Sequence, residues 1–390
     1  MTLPASTPFS AASTEKEWQF LCLCASPVAS HQDISRISFG DLDWNVLLEL
    51  AEEHGALGVL AMRLKEIDFA EIPAACREKL QARMRAQQLF TLSMTAELFR
   101  ILEEFSGAGI EAVLVKGPLV SLLAYGDPAV RSYVDLDLLL RHRHILSATR
   151  LMMDLGFAPD IPLSVIEAGK VPGEYLFKRP GTSQIVELHT ERTFRYYPRP
   201  LPVEDYFARR RRVLLDGQEI PALCLEDEFT LNSIHGAKHF WERLMWVADI
   251  AAIVARHPEI DWQCTAQYAN DVGAARMLHV ALQLAESLLR VPIPAPMKGA
   301  VARDAAVPRL CRQVIRWLPS AGYAPPELRE RAIFRMRMRG GILAGALYLL
   351  RLSFSPTEED WAEGAEAKNS RLRDALQRPL RLFKKYGAKE

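Results

Sequence analysis

The sequence has no apolar run approaching the ~20 residues that span a bilayer; its longest, 340–350, stops at eleven. The N-terminal residues lack a basic segment followed by an apolar one, so no secretory leader is expected. Neither sign of charge dominates: Lys plus Arg and Asp plus Glu both number 48, which leaves no global basic field to recruit nucleic acid. Nucleic acid is therefore not favoured as a partner. Cys22, Cys24, Cys76, Cys224, Cys264 and Cys311 contain no Cys-x-x-Cys pair, which argues against a zinc ribbon or a thioredoxin-like site. They read as reduced thiols of an intracellular chain. Neither a Gly-x-Ser-x-Gly elbow nor a Walker phosphate loop occurs. What is present is 49% hydrophobic and 25% charged over 390 residues, enough for a sizeable core and more than one structural unit. The expectation is a cytoplasmic protein with no transmembrane segment.

Along the chain, 1–15 is rich in Ser, Thr, Ala and Pro and is expected to be disordered. Residues 16–106 carry helical spacing (Trp44, Leu47, Leu48, Ala51, His54) and a longer helix over 73–105. The character changes at Gly107. A buried strand is predicted over 109–115, then a corner at Lys116-Gly117-Pro118, where proline suits the first turn of a helix over 119–125. A second strand follows over 134–140, then a helix over 142–155, and paired strands over 175–178 and 184–189 joined at Pro180-Gly181. This predicts an α+β fold: a small mixed sheet over 107–220, between the N-terminal helices and a helical domain over 221–320. A basic helical region, 321–390, closes the chain. Within 221–320, single helices are predicted over 226–256, 262–290 and 299–317.

The sharpest chemical feature is Asp135-Leu136-Asp137. Two apart in an apolar strand, the carboxylates share a face, repel one another and resist burial. A divalent cation offsets both effects, and hard oxygen ligands suit Mg²⁺, with Mn²⁺ as an alternative. The plain structural alternative is a polar edge strand with Arg131 as counter-charge. Upstream, Gly117 at a strand-to-helix corner lets backbone approach a phosphate, and Lys116 adds charge. Downstream, Glu187 places a third carboxylate in an apolar strand with His189 on its face. Together these describe a two-metal phosphoryl-transfer site, with Asp135, Asp137 and Glu187 as catalytic metal ligands.

These motifs resemble the DNA polymerase beta-like nucleotidyltransferase superfamily, which has a glycine corner, Asp-x-Asp and a third acid on a neighbouring strand. More closely they resemble an uncharacterised bacterial nucleotidyltransferase family, through Val115-Lys116-Gly117, Tyr125-Gly126-Asp127, Arg131 with the Asp-x-Asp stretch, and Glu187-Leu188-His189. His235-Gly236-Ala237-Lys238-His239, the Trp246 to Ile250 stretch and 356–361 extend the likeness over nearly the whole chain. The resemblance implies transfer of a nucleoside monophosphate from an NTP, ATP among them, to an acceptor hydroxyl or phosphate of a peptide, sugar or small molecule. It implies nucleotide contacts from Lys116, Gly117, Arg131, Ser132, Lys238 and His239. One departure stands out: the corner's second position is Pro118, with neither hydroxyl nor amide hydrogen. A non-catalytic nucleotide- or peptide-binding module of the same fold, and a toxin-like enzyme modifying RNA or protein, stay open as alternatives.

On a single 226–256 helix, His235, His239, Glu242, Trp246 and Asp249 would share one face, with Lys238 at its edge. Zinc is disfavoured, because Gly236 stands where a zinc protease has its glutamate. The stripe reads as a structural network or as a face across the substrate cleft, with His189, His235 and Asp249 supporting the site. Arg209-Arg210-Arg211-Arg212 reads as a solvated face or a polyanion contact.

Overall fold

Residues Ala112–Val115 are apolar and all buried, and they form the first strand, β1, of a computed structural model that describes residues 15–66, 72–169, 173–191, 202–318, 327–341 and 343–348. The others follow in chain order: β2 (Leu136–Leu140), β3 (Ala158–Pro159), β4 (Glu174–Lys178), β5 (Ile185–His189), β6 (Arg211–Leu215) and β7 (Gln218–Ala222). They make one mixed sheet in the order β3-β4-β5-β2-β1-β7-β6. The two strands in which every residue is buried, β1 and β2, lie near its middle, where both faces are covered.

The register sets the chemistry. Parallel pairing of β2 with β5 puts Asp137 opposite Glu187, and antiparallel pairing of β1 with β2 puts Val115 opposite Asp137. Antiparallel β4 then brings Glu174 opposite His189. The β4 and β5 starts fall within one residue of the sequence-based expectation, and those of β1 and β2 fall later. β1 begins at Ala112 because Gly109, at φ 70°, and the Ile110 N–H, bonded to the Phe105 carbonyl at 2.8 Å, close the Ala74–Gly107 helix. β2 begins at Leu136 because Val134 is 67% exposed and Asp135 sits in a bend.

The helix expected over 226–256 is two helices, Leu225–Lys238 and Leu244–Arg256. The break has a packing cause. Phe240 and Trp241 take left-handed φ of 60° and 54°, and the Trp241 N–H donates to the Gly236 carbonyl at 2.8 Å. Both rings are thereby buried, Trp241 completely and Phe240 against Phe334 and Trp317. The fold-back requires Gly236, since a Cβ there would lie 2.5 Å from the Trp241 ring. Gly236→Ala is therefore expected to lose roughly 1–3 kcal/mol by overpacking. A thermal melt would read this, and a variant as stable as the parent would remove this account of the break. The helices expected over 262–290 and 299–317 are likewise interrupted, at 272–274 and 304–306.

One apolar cluster joins the N-terminal helices, the sheet and the later helices, from Trp18 to Met338. The seams are also polar. The Ser26 hydroxyl donates to the Leu289 carbonyl at 2.6 Å, and His54 accepts the Leu244 and Met245 amides, so an N-terminal residue caps the Leu244–Arg256 helix. No helix among the described residues is long and apolar enough to cross a membrane. Residues 1–14, the signature at 356–361 and most of the basic 321–390 region lie outside the described residues.

Candidate active site

The corner after β1 is strained. Lys116 takes φ 51° and ψ −144°, a conformation that costs a non-glycine residue on the order of 1–3 kcal/mol. Gly117 follows at φ 43° and starts the Gly117–Tyr125 helix, with Pro118 in its first turn. A Cβ on Gly117 would meet the Asp135 carbonyl at an ordinary 3.4 Å, so glycine is needed there for conformation, not space. The strained corner is held by a residue the sequence did not single out. Glu228, fully buried on the Leu225–Lys238 helix, accepts the Lys116 N–H at 3.0 Å through Oε1, which also accepts from Asn232. Its Oε2 has no hydrogen-bond partner among the described residues, and burial pushes its pKa up to about 7. Glu228 lies within the run Glu226-Asp227-Glu228, which reads as ordinary first-turn acid at a helix N-terminus and so hides it.

Beside the corner, Lys116 Nζ lies 2.9 Å from Asp137 Oδ1, and His189 Nε2 lies 2.5 Å from the same oxygen and 3.4 Å from Glu187 Oε2. Both carboxylates are acceptors, so Nε2 carries a hydrogen. Burial acts to raise the Asp137 pKa, but Lys116 and His189 outweigh it and hold this acid well below the usual range. Conversely, burial and the Lys116 charge depress His189, yet its bonds to Asp137 and Glu187 lift it to about 9. Asp135 has no such partners. Burial first, then the charges of Asp137 and Glu187, push it up to about 7.

Asp137, Glu187 and His189 offer ligand atoms all within 4.8 Å of one another, so the group able to converge on an ion includes a nitrogen that the sequence placed in support. Asp135 lies outside that group but within its field. The donor set fits a divalent cation: a carboxylate with a raised pKa adjoins two more carboxylates, which is charge awaiting neutralisation.

Other predicted residues are placed as follows. Arg131 is buried, and its Nε donates to Asp249 at 2.7 Å, while Tyr125 donates to the other Asp249 oxygen at 2.9 Å. The Arg131 N–H is tied to Ser121, so the pair fixes the segment leading into Asp135. Ser132 is exposed. Lys238 Nζ stands 4.0 Å from Glu174, a half-buried acid across the site that sequence reasoning does not single out. His235, His239 and Trp246 meet as rings, with centroids 4.7 and 5.3 Å apart, although the helix carrying them is broken. Three of the four arginines in the run take structural partners: Arg209 binds Asp227 through two nitrogens, Arg210 binds Glu111, and Arg212 donates to the Glu219 carbonyl.

The model of an uncharacterised nucleotidyltransferase family matches residues 40–290. No curated protein matches the chain. Among solved structures, an antigenic nucleotidyltransferase-like protein from Paracoccidioides brasiliensis is similar over 53% of this chain and 94% of its own, at 17% identity and a TM-score of 0.30.

Proposed function

The chain belongs to this nucleotidyltransferase family, and from that premise we propose that it transfers a nucleoside monophosphate from an NTP to an acceptor hydroxyl or phosphate, using divalent metal. The observation that carries the proposal is the parallel register of Asp137 with Glu187, which gathers Asp135, Lys116 and His189 around them. Asp135, Asp137 and Glu187 would hold Mg²⁺, two ions in the full site, with Mn²⁺ as the alternative. Bound metal supplies charge neutralisation at the phosphate and activation of the attacking oxygen.

The chain's own residues do the rest. His189 orients Asp137 through the 2.5 Å bond, and Lys116 adds positive charge beside the carboxylates. Glu187, half-buried, is placed to accept the proton of the attacking group. The Arg131–Asp249 pair anchors the segment that leads into Asp135. A peptide, a sugar or a small molecule fits as acceptor, and we place the reaction in the cytoplasm.

One observation favours the second reading, a binding module without catalysis. Lys116 and His189 already neutralise Asp137, so that acid does not by itself demand a metal. Asp135 decides between them, because its charge has no comparable partner and a cation is the simplest remedy. The test uses NTP labelled at the α- or the γ-phosphate, with Mg²⁺ and candidate acceptors. Movement of the α label, with release of pyrophosphate, is expected. Transfer of the γ label, or no transfer to any acceptor, would reject the activity.

A further inference from the structure

We infer that the polyphosphate of the nucleotide is held by His235, Lys238 and His239 together with Lys116, and not by the backbone amides of the glycine corner. The inference rests on the nucleotidyltransferase reading and names which part of the substrate these residues take.

The corner is short of donors. A helix N-terminus binds phosphate through its first, unsatisfied amides. Here the Lys116 N–H goes to Glu228 at 3.0 Å, and Pro118 has none. The Leu119 and Val120 N–H groups turn back to the Lys116 carbonyl at 2.9 and 3.3 Å. That leaves Gly117 alone to meet an anion, where a triphosphate needs several donors.

Across the site, donors are in surplus. His235 and His239 are half-buried, and their rings pack on each other and on Trp246 without a ring hydrogen bond among the described residues. Burial, followed by the charges of Lys238, Lys116, Arg335 and Arg243, pushes His239 down to about 3. Burial and the Lys116 charge likewise hold His235 well below its usual value. Both rings are therefore neutral at pH 7, each with one N–H to give, inside a field of four cations. Lys238 and His239 at a helix C-terminus would suit the macrodipole alone. That accounts for the Lys238 charge, but not for two half-buried imidazoles with open donors. The field adjoins the carboxylates, since Lys116 touches Asp137 and Lys238 faces Glu174. A metal-bound polyphosphate presents charge of both signs and matches that boundary.

The test is calorimetry of the full chain with magnesium pyrophosphate. Lys238→Gln removes the charge, and His239→Phe keeps the ring stack while deleting its nitrogens. Each is expected to weaken pyrophosphate binding about tenfold or more, as loss of one charge-assisted hydrogen bond would. Each should also raise KM for the NTP more than it lowers kcat. Pro118→Ala, which restores a corner amide, is expected to leave pyrophosphate affinity unchanged. Unaltered affinity in Lys238→Gln and His239→Phe, tighter binding in Pro118→Ala, or no binding to the parent protein would each overturn the inference. α-Label transfer with unaltered pyrophosphate affinity sinks this assignment alone. Weakened affinity without any transfer upholds the anion site and sinks the reaction.

Discussion

Asp137→Ala is expected to abolish transfer and to destabilise the fold by about 3–5 kcal/mol, the range for removing one partner of a buried ion pair. Asp135→Ala is expected to abolish transfer, at least about 10³-fold, in a protein no less stable than its parent. The two acids sit two residues apart, and from sequence alone both removals should relieve repulsion and leave the fold intact or slightly stabilised. The structure corrects that for Asp137. Its carboxylate holds Lys116 and His189, and deleting it strands an ammonium and an imidazolium in the interior.

The pH dependence separates the acids further in metal-free protein with EDTA. Asp137 has a depressed pKa, so its stabilisation is present at neutral pH and is lost as pH falls through and below the usual aspartate range. Asp135 has a raised pKa near 7, so its favourable protonated form is lost as pH rises toward 7. The melting advantage of Asp135→Asn over the parent should therefore widen between about pH 4 and 7. Added Mg²⁺ should narrow or reverse it. An Asp135→Ala variant that melts below Asp137→Ala would show that the charges are assigned the wrong way round.

Gly58→Ala is expected to be the most damaging glycine-to-alanine change among the described residues. A Cβ there would lie 1.8 Å from the Val130 carbonyl oxygen and 2.8 Å from its carbon. Neither is the loose end of a side chain. Val130 leads into Arg131, whose N–H is fixed to Ser121 and whose Nε is fixed to Asp249. The strain cannot relax without moving the segment that presents Asp135, so the loss should reach about 3 kcal/mol or more, the top of the overpacking range. Transfer should fall with it. Gly107→Ala is the control: nothing lies within 4 Å of its Cβ, and in the Ala74–Gly107 helix it should gain roughly 0.5–1 kcal/mol. Equal melting of the Gly58 variant and the parent would refute the contact.

Much of this was legible in the chain itself. Alternation and turn residues located β1, β2, β4 and β5, and the Lys116-Gly117-Pro118 corner marked the helix start. Their meeting as one sheet could be anticipated from the motif. The register could not, and register is what makes Asp137 and Glu187 neighbours and brings His189 onto Asp137. Glu228 was hidden because an acid in a first helical turn ordinarily faces water, and only tertiary packing buries this one. The 226–256 segment reads as one continuous helix because helical periodicity is blind to a five-residue turn that returns in phase. Gly236 was the available signal, and it was read as the missing glutamate of a zinc motif rather than as room for Trp241.

The bond between Ser26 and the Leu289 carbonyl has a consequence for synthesis. The two residues are 263 apart, so a ribosome adding about 5–20 residues per second needs roughly 15–50 seconds to supply the second after the first. Through that interval the N-terminal helices already exist without the surfaces that cover them. Phe20 and Leu21, fully buried in the finished protein, lie on a helix that packs partly on Leu244–Arg256 and Ala275–Leu289, which have not yet been made. The part of that apolar face covered by these two later helices therefore stays without its intramolecular partners for most of translation.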